Sequence, residues 1–80
     1  MPSIIPDEVL DTYGMLCPLP IVKTAEKMRS MSSGDTLKVI SSDAAIQVDM
    51  PNWCKSVGNE YLGFEEVEGA FHVYVRKSAN

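Results

Sequence analysis

Cys17 is the residue of this sequence best placed to do chemistry, because it stands at a corner rather than inside an element. The stretch 14–20 reads GMLCPLP, with a glycine before the cysteine and two prolines after it. The residue before a proline is biased away from helical backbone, and proline is tolerated in the first helical turn. We therefore expect a helix with Cys17 at its N-cap, Pro18 at its first position and Pro20 at its third.

This position predicts a reactive thiolate. The N-terminus of a helix carries a partial positive charge, and cysteines placed there have depressed pKa values. Because neither proline has an N–H group, the N–H groups of Leu19 and Ile21 are the nearest donors facing the thiol. A cysteine in a small domain is more often a buried apolar residue. A proline-bracketed corner lies at the rim of a fold, however, so we expect Cys17 to be exposed.

Several reactions of a thiolate are disfavoured by what the rest of the sequence lacks. Acyl transfer needs a base beside the thiol, and the one histidine, His72, is predicted on the polar face of the last strand. Cys17 and Cys54 have no metal-site spacing, and a structural zinc ion takes four ligands, so we expect no metal. A second thiol one helical turn after Cys17 is excluded by Pro20. Dithiol chemistry would therefore require Cys54 to fold back.

A single exposed thiolate is sufficient for sulfur exchange. It attacks the outer sulfur of a donor persulfide, holds that sulfur as its own persulfide and yields it to an acceptor thiolate. Two alternatives stay open. The protein could be a regulator or adaptor without catalysis, with Cys17 serving only as a helix cap, or Cys17 and Cys54 could form a redox switch. By itself, Cys54 reads as a half-buried cysteine of the second helix.

Composition sets the class of protein and its partners. The chain has 80 residues and a formal net charge of −4, and we expect one domain over 1–80 with a loose lead-in over 1–7. The basic residues form no stripe that could neutralise phosphates, so we expect no direct nucleic-acid partner. We see no signal peptide and no membrane-spanning run, and expect a monomer in the cytoplasm, where thiols stay reduced.

Hydrophobic periodicity predicts the element order β-α-β-α-β-β, with strands over 9–13, 36–41, 61–67 and 70–77. In the first helix we expect Ile21, Val22, Ala25 and Met28 on the core side and Thr24 facing water. The second helical region has one apolar stripe, formed by Ile46, Met50, Trp53 and Val57. We expect Pro51 to interrupt it, leaving a short turn over 44–47 and a helix that starts near Pro51 with Asp49 or Met50 as its cap.

These elements predict an α/β (α+β) fold. Two helices cannot cover both faces of a four-stranded sheet, so we expect a two-layer sandwich: a four-stranded mixed sheet with both helices on one face. The other sheet face would then be open to solvent or to a partner.

From Leu10 to Lys77 the sequence resembles the TusA (SirA/YedF-type) sulfur-carrier family. The resemblance centres on the opening Leu10-Asp11, Gly14 and the Cys-Pro-x-Pro motif at Cys17. Further matching positions follow along the chain: Gly34-Asp35, Asp43-Ala44, Asp49-Met50-Pro51, Trp53 and Gly58.

The resemblance implies the two-layer fold and a covalent persulfide on Cys17, with no other cofactor. It implies a cysteine desulfurase or rhodanese-type donor and a DsrE/TusD- or DsrC/TusE-like acceptor, serving tRNA 2-thiouridine synthesis or dissimilatory sulfur metabolism. By the same resemblance Arg29, Asp43 and Asp49 are candidate docking residues, and Cys54 matches a second cysteine of some members. Ala25 stands where the tRNA-thiolating branch has an arginine on the first helix, which leaves the donor open. Leu19 replaces an acidic residue of that branch, which indicates a different partner.

Overall fold

The computed structural model describes residues 5–78, which form four strands and two helices in the expected order. The elements are β1 (Glu8–Asp11), α1 (Leu19–Arg29), β2 (Thr36–Ser41), α2 (Ile46–Val57), β3 (Glu60–Val67) and β4 (Ala70–Arg76). β2, β3 and β4 agree with the predicted spans within one residue. β1 is shorter than predicted, because it ends at Asp11. Among the described residues no helix is both long and apolar enough to cross a membrane.

The four strands form one mixed sheet in the order β1-β2-β4-β3. β1 and β2 are parallel, with Leu10 opposite Val39, and α1 makes the crossover between them. The β2–β4 and β3–β4 pairs are antiparallel. Both helices contribute side chains to the core cluster on one face of this sheet. The predicted two-layer α+β sandwich is confirmed.

The core lies between that sheet face and the two helices. Alternate residues of the central strands point into it, Leu37 and Val39 from β2 and Val73 and Val75 from β4, as the period-two pattern of β4 predicted. The helices supply the opposing layer of buried side chains: Met28, Ile46, Met50 and Cys54.

The buried stripe of α1 differs from the predicted one. It runs through Pro20, Thr24 and Met28, whereas Val22 is 44% exposed. The predictions that Val22 packs in the core and that Thr24 faces water are therefore wrong. The Thr24 hydroxyl donates to the carbonyl of Pro20 at 2.7 Å. This bond to the preceding turn satisfies the hydroxyl, so a threonine can be buried where apolar counting would place it at the surface.

α2 is continuous through Pro51, so the predicted interruption is wrong. Pro51 lies in the second turn, where its missing N–H removes one backbone bond while the rest of the helix stays paired. The start of α2 is fixed before the proline, since the N–H of Ile46 donates to the carbonyl of Asp43 at 3.1 Å. Cys54 is buried in place of Val57, which is exposed.

The N-terminal lead-in is only partly as predicted. Residues 1–4 of the predicted segment lie outside the described residues, and Ile5 is exposed. Asp7 is held in place, because its N–H donates to the carbonyl of Thr36 and its carboxylate accepts the N–H of Thr36, both at 2.8 Å. Asp7, which belongs to the predicted lead-in, is therefore fastened to the start of β2.

We expect Met50→Ala to lower the free energy of unfolding by about 2–5 kcal/mol, because it leaves a cavity in the core under both helices. Met50 is fully buried, whereas Val48, on the same helix, is 63% exposed. Val48→Ala is therefore the matched control and should change stability by less than about 0.5 kcal/mol. Urea unfolding followed by circular dichroism measures both, and equal losses would contradict this arrangement of α2.

Candidate functional site

The candidate site lies where the chain leaves β1 and β2. Parallel neighbours end at the same edge of a sheet, so the segments after them meet there. The N–H of Thr12 donates to the carbonyl of Ile40 at 2.8 Å, and the N–H of Gly14 donates to the Ser42 hydroxyl at 2.9 Å. Gly14 has φ +88°, in the left-handed region that glycine adopts without a steric penalty. The segment that carries Cys17 is therefore fastened to the end of β2.

The start of α1 lies closer to the C-terminus than predicted. Pro18 is the N-cap and Leu19 the first helical residue, so Cys17 precedes the helix and the predicted N-cap role is wrong. The N–H groups of Leu19 and Ile21 donate to the carbonyls of Leu16 and Pro18, at 2.9 and 3.0 Å. They are consumed within this turn and do not face the thiol as predicted. The Cys17–Pro18 peptide bond is cis.

The thiol of Cys17 is exposed and makes its hydrogen bond with α2. Its Sγ–H donates to Oδ2 of Asp49 at 3.0 Å. Asp49 lies in the first turn of α2, where the helix dipole favours a carboxylate. The exposure of Cys17 agrees with the prediction, but its partner is a carboxylate of the second helix and not the N–H groups of the first.

Asp43 links the start of α2 to the cysteine backbone. Its Oδ1 accepts the N–H of Ala45 at 3.0 Å, and its Oδ2 accepts the N–H of Cys17 at 3.4 Å. Its own N–H donates to the Ser41 hydroxyl at 3.0 Å. Asp43 and Asp49, two of the three predicted docking residues, therefore both lie beside Cys17.

These carboxylates reverse the predicted direction of the thiol pKa. The hydrogen bond to Asp49 raises the pKa of Cys17, and partial desolvation and the negative charges of Asp49 and Asp43 raise it further. A carboxylate that accepts the thiol proton stabilises the protonated form, and nearby negative charge penalises the thiolate. The contact was not predicted from the sequence, because an α2 that starts near Pro51 would not place Asp49 in the first helical turn beside Cys17.

The thiol opens into a small depression between the beginnings of the two helices. Its lining consists of Cys17, Pro20, Ile21, Asp43, Ile46 and Asp49. Three of these side chains are apolar and two are carboxylates, so the lining holds no cation and no base other than the carboxylates. The arrangement suits exchange between sulfur atoms, which needs an accessible sulfur and an approach path.

Cys54 lies apart from this chemistry. Its side chain is 1% exposed and belongs to the core cluster, so it is fully buried and not half-buried as predicted. Burial raises the pKa of the Cys54 thiol to about 11. Both cysteines are free, and a disulfide with Cys17 would require Cys54 to leave the core.

Arg29 and His72 lie away from the thiol. Arg29 is the last residue of α1, and a helix of 11 residues places it about 15 Å from the first turn. It lines a separate open groove with Trp53 and Lys77. His72 pairs with Ile40 and Glu65 across the sheet and alternates with the core-facing Val73. The three predicted docking residues therefore do not form one surface.

Comparison with known proteins identifies the family. The family model described as Sulfurtransferase TusA matches residues 8–77. The chain belongs to the TusA family. The sulfur carrier protein TusA of Pseudomonas putida strain GB-1 is 36% identical over 80 residues, which is the full length of both proteins. The sulfur carrier protein TusA of Allochromatium vinosum is 39% identical over 72 residues, covering 90% of this chain and 95% of that protein.

Two further comparisons concern length and fold. A putative sulfur carrier protein of Aquifex aeolicus is 40% identical over 79 residues, and the match spans 99% of this chain but only 40% of that protein. The crystal structure of a SirA-like protein from Desulfitobacterium hafniense has a TM-score of 0.71 at 19% identity, over 89% of this chain and 97% of that one. The predicted TusA/SirA membership and fold are confirmed, and with them the sulfur-carrier role at the level of the family.

We expect Asp49→Asn to lower the pKa of Cys17, because it removes the carboxylate that stabilises the protonated thiol. At a pH below the pKa of the wild-type thiol, the larger thiolate fraction should then raise the rate of alkylation by iodoacetamide, an uncharged reagent, about threefold or more. Alkylation of Cys17 followed by mass spectrometry over a range of pH gives the profile.

Asp43→Asn should accelerate alkylation less, because its charge is the smallest of the contributions to the pKa of Cys17. Glu60→Gln, at an exposed position of β3 at the opposite end of the sheet from Cys17, controls for the change in net charge and should leave the profile in place. A profile for Asp49→Asn that matches the wild type would show that this hydrogen bond does not set the pKa of the thiol.

Proposed function

We propose that this protein carries sulfane sulfur as a persulfide on Cys17. The observation that carries the proposal is the exposed Cys17 thiol at the mouth of a small depression, with Cys54 buried in the core. Of the two cysteines only this sulfur can be reached by another protein without unfolding. Family membership supports sulfur transfer as the class of reaction, and the exposure of Cys17 supports its sulfur as the carrier atom.

The loading step is an exchange between sulfur atoms without net oxidation. The thiolate of Cys17 attacks the outer sulfur of a donor persulfide, R–S–SH, and a new S–S bond forms as the donor's S–S bond breaks. The donor leaves as the thiolate RS⁻, which takes up a proton equivalent to the one that Cys17 lost. The products are a Cys17 persulfide and a donor thiol. Unloading is the same exchange, with an acceptor thiolate attacking the outer sulfur on Cys17.

The partners we propose are proteins that present or receive such a sulfur. A cysteine desulfurase or a rhodanese-type protein would load Cys17, and a DsrE/TusD- or DsrC/TusE-like protein would unload it. The sulfur would serve tRNA 2-thiouridine synthesis or dissimilatory sulfur metabolism in a reducing cytoplasm. The formal net charge of −4 and the acidic surroundings of the thiol support a protein partner and disfavour direct contact with nucleic acid.

We expect the wild-type protein to gain the mass of one sulfur atom after incubation with a cysteine desulfurase and cysteine, and to lose it on treatment with dithiothreitol. Cys17→Ser should gain nothing. Cys54→Ala should load as the wild type does, because it removes the buried thiol without placing a polar group in the core. Intact-mass spectrometry measures all three proteins.

Loading of Cys17→Ser, or an unloaded wild type beside an active donor, would contradict the carrier role. Spectra recorded without reductant after mild oxidation test the redox switch, which an intramolecular Cys17–Cys54 disulfide would support. A Cys17→Ser protein that keeps its partner binding and its cellular phenotype would support the adaptor.

A further inference from the structure

Two carboxylates place negative charge beside the Cys17 sulfur, and this charge acts on every sulfur compound that approaches the thiol. Oδ2 of Asp49 lies 3.0 Å from the Cys17 sulfur, and Oδ2 of Asp43 lies 3.4 Å from the Cys17 nitrogen. The remaining residues of the depression, Pro20, Ile21 and Ile46, do not titrate. A sulfur compound that reaches Cys17 therefore meets two negative charges, and no positive one, from the residues that line the depression.

The cations of α1 do not cancel this charge. Lys23 pairs with Glu26 at 3.7 Å, and Lys27 pairs with Glu8 at 3.2 Å. Arg29 is at the far end of the helix. The first turn of α2 and the turn before it therefore present an acidic surface beside an exposed sulfur.

Charge at this distance affects exchange because the reaction itself is anionic. In the transition state the negative charge of the attacking thiolate is spread over three sulfur atoms in a row. One unit charge about 4 Å from another changes a rate by about fivefold even at the dielectric constant of water, and more where water is partly excluded. A donor that brings positive charge to this position compensates the carboxylates, and a donor that brings negative charge adds to the repulsion.

We propose that Asp49 and Asp43 are specificity-determining residues, which make Cys17 accept sulfur from donors that hold it next to cationic groups and discriminate against anionic sulfur compounds. The favoured donor is a protein whose sulfur-bearing cysteine is surrounded by lysine or arginine. Thiosulfate and free anionic persulfides are disfavoured. The biological meaning of this selection rests on the proposed carrier role, whereas the selection itself is a property of the thiol.

Exchange with small disulfides of different charge tests the proposal. The probes are cystamine, which carries two ammonium groups, 2-hydroxyethyl disulfide, which is neutral, and dithiodiglycolate, which carries two carboxylates. In each case the Cys17 thiolate attacks one sulfur, a mixed disulfide forms and one thiolate leaves. Because the same thiolate attacks all three probes, the ratio of two rates is independent of the thiol pKa. Every protein in this experiment carries Cys54→Ala, so that Cys17 is the one thiol that can react.

The rate of each probe with Cys17 is divided by its rate with a small neutral thiol, and the measured quantity is the ratio of these normalised rates for cystamine and dithiodiglycolate. At an ionic strength of about 0.01 M, where screening is weak, we expect this ratio to be at least about ten. Asp49→Asn and Asp43→Asn should each reduce this ratio by about threefold or more, and Asp49→Glu should keep it. Glu60→Gln makes the same change in net charge at the opposite end of the sheet, where Glu60 pairs with Arg76 beside the start of β2, and should leave the ratio within about 1.5-fold. At about 1 M salt the ratio should approach one.

A wild-type ratio near one at low salt would overturn the proposal, as would an equal loss in Glu60→Gln, which would assign the effect to the overall charge of the protein. These outcomes are distinct from failure of the carrier role. A thiol that selects by charge but gains no sulfur from either a desulfurase or a rhodanese-type protein would contradict the proposed function alone. A thiol that loads but does not select would contradict this inference alone.

Discussion

The parallel pairing of β1 with β2 is the constraint on which the site depends. It brings the segment after β1, which carries the thiol, to the same sheet edge as the segment after β2, which carries the carboxylates. The hydrogen bonds from the N–H groups of Thr12 and Gly14 to Ile40 and Ser42 hold the two segments together. The contact between Cys17 and Asp49 then closes the arrangement across the first turns of both helices. Neither helix alone would define the surroundings of the sulfur.

Two opposing influences act on the thiol. The positive end of α1 favours the thiolate, and the carboxylates of α2 and the preceding turn favour the protonated form. The carboxylates are in direct contact, whereas the N–H groups of the first turn of α1 already have partners in Leu16 and Pro18. A raised pKa reduces the fraction of thiolate at neutral pH, but a thiolate of higher pKa is a stronger nucleophile once formed. A balance between the fraction of thiolate and its nucleophilicity suits a carrier, which must both accept and release sulfur.

The sequence predicted the features that follow from local pattern and failed where a side chain finds a partner far along the chain. The element order, the sheet with both helices on one face and the exposure of Cys17 follow from periodicity, proline placement and glycine placement. The burial of Thr24 depends on a bond to Pro20, which no apolar count registers. The course of α2 through Pro51 depends on burying Met50 and Cys54, whose contribution outweighs one lost backbone bond.

The error at Pro51 had the largest effect on the interpretation of the site. Starting α2 near Pro51 made Asp49 a candidate helix cap and removed it from the predicted surroundings of Cys17. With α2 beginning at Ile46, Asp49 falls in the first turn and faces the thiol across the depression. The partner of the sulfur is 32 positions away in the chain, a separation at which sequence pattern alone carries no geometric information.

In this structure the carboxylate of Asp49 outweighs the end of α1 in setting the ionisation of Cys17. A titration of the thiolate by its ultraviolet absorbance measures this balance, in the Cys54→Ala background so that only one thiol contributes. We expect a single midpoint above about 8.5, the value of an unperturbed cysteine. A midpoint below that value would show instead that the end of α1 dominates the ionisation of the thiol.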